Sequence, residues 1–201
     1  MIFRNLQPLV LASASPRRRE LLDQLGVAFT VTPADISEEL WPDEAADDFV
    51  ARLAREKAQA VAPCSPESWV LAADTVVVLD GEILGKPEDG EHAEAMLGRL
   101  SGRWHRVLTG FSLLPAAGPA PSPASNYGAV VATEVRFAEL SRELIAAYVA
   151  TGEPLDKAGA YGIQGMGGVL VSEIKGSPSN VIGLPLNEVT SLLLQLAVIT
   201  W

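Results

Sequence analysis

The chain has 201 residues, 48% hydrophobic and 20% charged, with a formal net charge of −10. That composition belongs to a globular chain with a sizeable core, and the negative balance argues against general affinity for nucleic acid or an anionic membrane surface. The lone cysteine, Cys64, excludes an intrachain disulfide and reads as an inert thiol in a reducing, cytoplasmic setting. The N-terminus shows no signal-peptide pattern, and no apolar run reaches the roughly 18 residues a membrane span needs.

Strand and helix patterns alternate along the chain. The apolar run Leu9-Val10-Leu11-Ala12 predicts a buried strand. Ser15 then offers a helix N-cap, Pro16 suits the first helical position, and Leu21, Leu22 and Leu25 follow at helical spacing. Arg17, Arg18 and Arg19 therefore fall in a first helical turn, where the helix dipole favours negative charge. An anion resolves that conflict, because free N–H groups and guanidinium forks together make a phosphate cradle.

Phe29 to Thr32 reads as a short strand leading into the acidic segment Asp35 to Glu39. A helix is expected from Asp47 to Ala62, with Phe49, Val50, Leu53, Ala54 and Ala58 on one face, ended by Pro63 and Pro66. Trp69 to Leu79 is almost wholly apolar, the pattern of a strand buried on both faces, and Asp80-Gly81 marks a turn. A helix over His92 to Leu100 precedes strands near Arg106 to Leu114 and Ala129 to Phe137. The Pro-, Ala- and Ser-rich stretch between them, Pro115 to Asn126, reads as a mobile surface loop. Ser141 caps a further helix to about Ala150, Gly159 to Gly168 is a glycine-rich loop, Val169 to Ile174 a strand, and Pro185 to Val198 a last amphipathic helix. Leu186, Val189, Leu192, Leu193 and Leu196 form its stripe, which faces the core or a partner. The mixture predicts an α/β, or mixed α+β, fold with a mixed sheet and a cleft.

Some residues stand out against these patterns. Asp74 interrupts an otherwise apolar strand, where a carboxylate is costly unless it is paired or holds a metal. Thr75 beside it is ordinary for a strand. Lys57 lies on or beside the apolar stripe of its helix, placed either to snorkel to solvent or to serve a function. Lys86, in Gly85-Lys86-Pro87, is a common surface turn that also suits a point charge for phosphate. Glu38 and Glu39 read first as a solvated acidic loop; with Asp74, Glu38 forms an oxygen-donor pair for a hard divalent cation. Residues 162–168 hold four glycines in seven positions, either a tight structural turn or a close approach to a ligand, and Gln164 among them suits the edge of a nucleobase. The loop has neither the Rossmann nor the P-loop pattern. His92 and His105 are isolated, with no zinc spacing and no nucleophile around them.

Seven segments in order resemble the Maf family of nucleotide pyrophosphatases: SASPRRRELL, ADISEE, LAREKA, AADTVVVLDGEILGKP, LSGRWHRVLTG, GEPLDKAGAYGIQGMGG and GSPSNVIGLPL. The resemblance runs over nearly the whole chain. It implies a single Maf-like domain over residues 1–201, with an elongated mixed β-sheet flanked by helices and two lobes around a central cleft, similar to the inosine-triphosphate pyrophosphatase fold. It also implies an enzyme that hydrolyses a nucleoside triphosphate to the monophosphate and pyrophosphate with a divalent cation, Mg²⁺ or Mn²⁺. The YGIQG segment looks like the dTTP/UTP branch.

Carried over by position, Asp74 matches the general base, and Arg17, Thr75 and Gln164 match substrate-specificity positions. Ser13, Arg18, Lys57 and Lys86 fall where the family holds phosphates. Glu38 and Asp74 are the metal-holding pair, so that Asp74 either takes the proton of water or shares in metal binding. The partner expected is the nucleotide, with no nucleic acid and no membrane; a homodimer follows from the resemblance alone. The rival expectation is a nucleotide-binding regulator of septum formation or cell division without essential turnover.

Overall fold

Three stretches of eleven residues set the frame because they are long, apolar and β-branched, and all three form strands. The computed structural model describes residues 2–116 and 126–201, so most of the loop expected over Pro115 to Asn126 lies outside the described residues. In chain order the elements are β1 (Arg4–Asn5), β2 (Leu9–Leu11), α1 (Pro16–Leu25), β3 (Thr30–Val31), α2 (Ala46–Val61), β4 (Trp69–Leu79), β5 (Glu82–Leu84) and α3 (Gly90–Leu100). There follow β6 (Trp104–Leu114), β7 (Tyr127–Phe137), α4 (Arg142–Val149), β8 (Val171–Lys175), α5 (Pro178–Ile182), α6 (Leu186–Gln195) and β9 (Ile199–Thr200). Seven strands form one sheet in the order β3-β2-β4-β6-β7-β8, with β5 paired to β4. β2 runs parallel to β3 and β4, whereas β7 and β8 are antiparallel, so the sheet is mixed as expected. None of the described helices is long and apolar enough to cross a membrane.

The chain divides into two compact units, and β4, β6 and β7 each contribute to both. The first draws its described residues from Met1–Asp74, Thr109–Val131 and Gly183–Trp201. Val10, Ala12, Ala58, Val61, Val70 and Ala72 pack together there, so α2 lies on the β2–β4 part of the sheet. That contact is close at Gly110 of β6, where a Cβ would fall on the backbone of α2 at Val50 and, at 2.9 Å, on the Ala51 nitrogen. In α6, Val189 and Leu193 are buried, so the stripe faces the chain's own interior.

The second unit comprises Thr75–Leu108 and Ala132–Ile182. Its core gathers Leu97 and Leu100 of α3, Val107 of β6, Phe137 of β7, Tyr148 of α4 and Tyr161. His105 is buried there, edge-on to Phe137 and Tyr161, with Nε2 2.8 Å from the Tyr161 hydroxyl. Its Nδ1 is buried with no hydrogen-bond partner among the described residues, and burial pulls the imidazole pKa down to about 4.

The strand expected over Val169 to Ile174 begins later, because residues 166–170 form a 3₁₀ turn through Gly167-Gly168 and leave Val169 68% exposed. The two-residue strands β1 and β9, which pair with each other, and the five-residue α5 were not anticipated, being too short to show a period.

Candidate functional site

Asp74 and Lys57 meet inside the first unit. The strand β4 buries the Asp74 carboxylate because its neighbours in the run are apolar, and α2 brings Lys57 onto the sheet on the same face as Phe49 and Leu53. Lys57 Nζ donates to Asp74 Oδ1 at 2.6 Å and lies 2.5 Å from Glu38 Oε1. Lysine and aspartate side chains are about one-tenth exposed, which rules out snorkelling. One ammonium thus gathers two carboxylates, one buried in a strand and one from the loop that follows β3. Breaking a buried pair of this kind is costly, since the remaining charge has lost its water and its partner.

The arginine turn stands as the sequence predicts. Ser15 caps α1 by accepting from the Arg18 amide, Pro16 opens the helix, and no acidic side chain occupies the first turn. Buried Ser13 supports it: its hydroxyl accepts from the Ser15 amide at 3.2 Å and from Arg18 Nη1 at 3.3 Å. Arg18 Nε donates to the Gly183 carbonyl at 2.8 Å. Desolvation is the largest influence on Arg18 and lowers its pKa from the ordinary arginine value; the negative charges of Asp74 and Glu38 oppose it, and Arg17 adds to it. Ser13, Arg17, Arg18, Glu38, Lys57 and Asp74 therefore act within one electrostatic field. Arg19, which the sequence left without a role, makes a long exposed pair with Asp23.

A clamp that the sequence did not reveal holds the Glu38 loop. Arg52 of α2 is buried, donates to both carboxylate oxygens of Glu44 at 2.6 and 2.7 Å, and donates to the Glu39 carbonyl at 2.9 Å. Trp41 stacks on the guanidinium at 4.0 Å. The hydrogen bond from Arg52 holds the Glu44 carboxyl below its usual range. An arginine inside an amphipathic helix carries no signal that separates this role from a solvated one.

Thr75, Lys86 and Gln164 belong to the second unit. Thr75 directly follows Asp74 in β4 and is partly exposed. Lys86 is exposed, and the segment carrying it is tied to the glycine-rich loop by the Gly159 amide donating to the Gly85 carbonyl at 3.0 Å. Gly159 and Ala160 are both left-handed, with φ of 67° and 58°, a conformation that tertiary packing must hold at a non-glycine residue. Gln164 is half-buried in the loop beyond them. Cys64 is exposed at the end of the turn after α2.

Among the described residues no group of three or more His, Cys, Asp or Glu side chains converges as a metal cage. The two carboxylates gathered on Lys57 are hard oxygen donors, the set that suits a cation completing its shell with phosphate oxygens and water.

Comparison with known proteins bears on the family of the chain. The family model described as Maf-like protein matches residues 8–196. The dTTP/UTP pyrophosphatase of Myxococcus xanthus (strain DK1622) is 57% identical over 92% of this chain and 90% of its own length. That of Anaeromyxobacter dehalogenans (strain 2CP-C) is 58% identical over 92% of each chain. Among solved structures, the Staphylococcus aureus Ham1 protein aligns at 15% identity with a TM-score of 0.44, over 66% of this chain and 73% of that one. On the family match and the identity of these relatives, the chain belongs to the Maf family.

Proposed function

We propose that the chain hydrolyses dTTP and UTP to the nucleoside monophosphate and pyrophosphate. The observation that carries this reading is the buried Lys57 bridging Glu38 and Asp74 in the same electrostatic field as an arginine-bearing helix N-terminus. The substrate pair comes from the names of relatives more than half identical to this chain. The same names and the complete charged set disfavour a nucleotide-binding regulator without turnover.

In this reading Asp74 accepts a proton from the water that attacks the α-phosphorus. The bond from that phosphorus to the bridging oxygen breaks, and pyrophosphate leaves with the bond's electrons. Lys57 orients the Asp74 carboxylate through the hydrogen bond at 2.6 Å. Arg17, Arg18 and Lys86 hold the phosphates and offset the charge that grows on the leaving group; Ser13 fixes Arg18 for that task. Glu38 and Asp74 would hold a divalent cation, Mg²⁺ or Mn²⁺, which when bound supplies positive charge against the phosphates. Gln164 reads the base edge through its amide, and Arg17 and Thr75 share in substrate choice. A cytoplasmic location suits the single, exposed cysteine.

The test is pyrophosphate release from a panel of common and modified nucleoside triphosphates, with Mg²⁺, with Mn²⁺ and with chelator. Release from dTTP and UTP above the purine triphosphates is expected. Tight nucleotide binding with no pyrophosphate released from any member would overturn the reading.

A further inference from the structure

Glu153 belongs to the second unit and directly precedes Pro154. In the structure its carboxylate is spent on the loop that carries Gln164. Oε1 accepts from the Tyr148 hydroxyl at 2.9 Å and from the Gly167 amide at 3.0 Å. Oε2 accepts from the Met166 amide at 3.0 Å. The Tyr148 hydroxyl in turn accepts from the Gly162 amide at 3.3 Å. Both arms of the loop, Gly162 on one side and Met166-Gly167 on the other, are thus tied to one carboxylate–phenol pair. Ile163, Gln164 and Gly165 bridge between them.

The glycines of the loop are there to allow this closure. A Cβ on Gly167 would run into the Gly162 carbonyl and the Tyr148 hydroxyl, and one on Gly165 would lie 2.9 Å from Glu153 Oε2. Lys157 braces the other end of Glu153: its Nζ donates to the Glu153 main-chain carbonyl at 2.6 Å, and its stem lies against Gly162. Burial is the largest single influence on the Glu153 carboxyl and raises it, but the Gly167 and Met166 amides, the Tyr148 hydroxyl and the Lys157 charge together hold it below its usual range. Burial holds the Tyr148 phenol above its usual range, so it remains a donor. A charge-assisted set of this kind is stronger than neutral hydrogen bonds and fixes direction as well as distance.

We propose that Glu153, with Tyr148, is a positioning residue that sets substrate selectivity by fixing the loop from which Gln164 reads the base. This rests on the base-reading role given to Gln164 above. It predicts that loosening the buttress weakens discrimination between pyrimidine and purine triphosphates while leaving the chemical step intact.

The experiment compares kcat and KM for dTTP and dGTP in the wild type, Gln164→Ala, Glu153→Gln, Tyr148→Phe and the Glu153→Gln/Gln164→Ala double variant. Hydrogen exchange of the amides of residues 162–168 is followed in each. Glutamine at 153 keeps the shape but presents an NH₂ where an acceptor is needed. Glu153→Gln is expected to raise KM for dTTP about tenfold, with kcat changed by less than about twofold, the loss of one or two charge-assisted hydrogen bonds. The dTTP-to-dGTP ratio of kcat/KM falls with it, and exchange at Met166 and Gly167 rises while that of the β6 amides does not. Tyr148→Phe, isosteric in the core, should move the ratio the same way by about threefold. In the double variant the ratio should be no lower than in Gln164→Ala alone. Faster loop exchange in Glu153→Gln with an unchanged ratio, while Gln164→Ala collapses it, overturns the proposal and leaves the base reading standing. A silent Gln164→Ala overturns both.

Discussion

The Lys57–Asp74 pair of the first unit and the His105–Tyr161 pair of the second are both buried, yet one is an ion pair and the other a pair of aromatic rings. Lys57 and Asp74 compensate each other, with Glu38 as a second anion on the same ammonium. His105 has the Tyr161 phenol and the Phe137 ring beside it, and burial pushes its pKa down to about 4, so the neutral imidazole packs as a core ring. A core retains ions where something is to be done with them and removes charge where only packing is at stake. The contrast makes measurable demands.

The largest expected effect is on turnover. Asp74→Asn should fold and lose about 100-fold or more in kcat, the range for removing a general base. Near-normal pyrophosphate release by that variant would remove the chemical half of the comparison. Lys57→Met tests the same cluster through stability: it leaves the Asp74 carboxylate buried with no ammonium, and urea unfolding should show a loss of about 3 kcal/mol. A change below about 1 kcal/mol would mean that the carboxylate reaches water without its partner.

Acid should act on the other region by a comparable amount. The unfolded chain binds a proton at His105 near the ordinary value of 6.5, while the folded chain resists it until about 4. The stability contributed by the neutral ring is therefore full above pH 6.5 and is lost as pH falls toward 4, by on the order of 3 kcal/mol. Denaturant melts across that window should be steeper in pH for the wild type than for His105→Gln; parallel curves would show that the ring is protonated in place. The smallest effect sharpens the first region. Ser15→Ala removes the cap of α1 and should cost about 1 kcal/mol by thermal melting, with activity retained because the arginines still project from the same turn.

How far these two regions could be read from the sequence differs as well. Asp74 is visible because a carboxylate breaks an apolar run, and Lys57 because it stands four residues from Leu53 and eight from Phe49 on the stripe. Their meeting with Glu38 is a matter of tertiary placement, which no spacing encodes. The clamp of Arg52, Glu44 and Trp41 went unread because a charge in an amphipathic helix has the same local pattern whether water or a carboxylate receives it. Glu153 is hidden for a similar reason: acids next to Pro154 belong to turns in general, and only the folded loop brings Met166 and Gly167 to it. The long strands were legible to within two residues, since mostly apolar and β-branched runs leave little choice, while β1 and β9 form only by pairing with each other.

Gly110 carries a consequence for anyone reading mutational tolerance in this family. Its backbone lies so close to Val50 and Ala51 that any side chain would push α2, and Lys57 with it, off the sheet. A saturation library at this position should return glycine alone under selection for turnover, with the same depletion as at Asp74. An abundance screen separates the two: Asp74→Asn persists as soluble protein, and Gly110→Ala does not. Depletion at Gly110 thus marks the depth at which a helix is set, and a purely activity-based map would misplace it among the chemical residues.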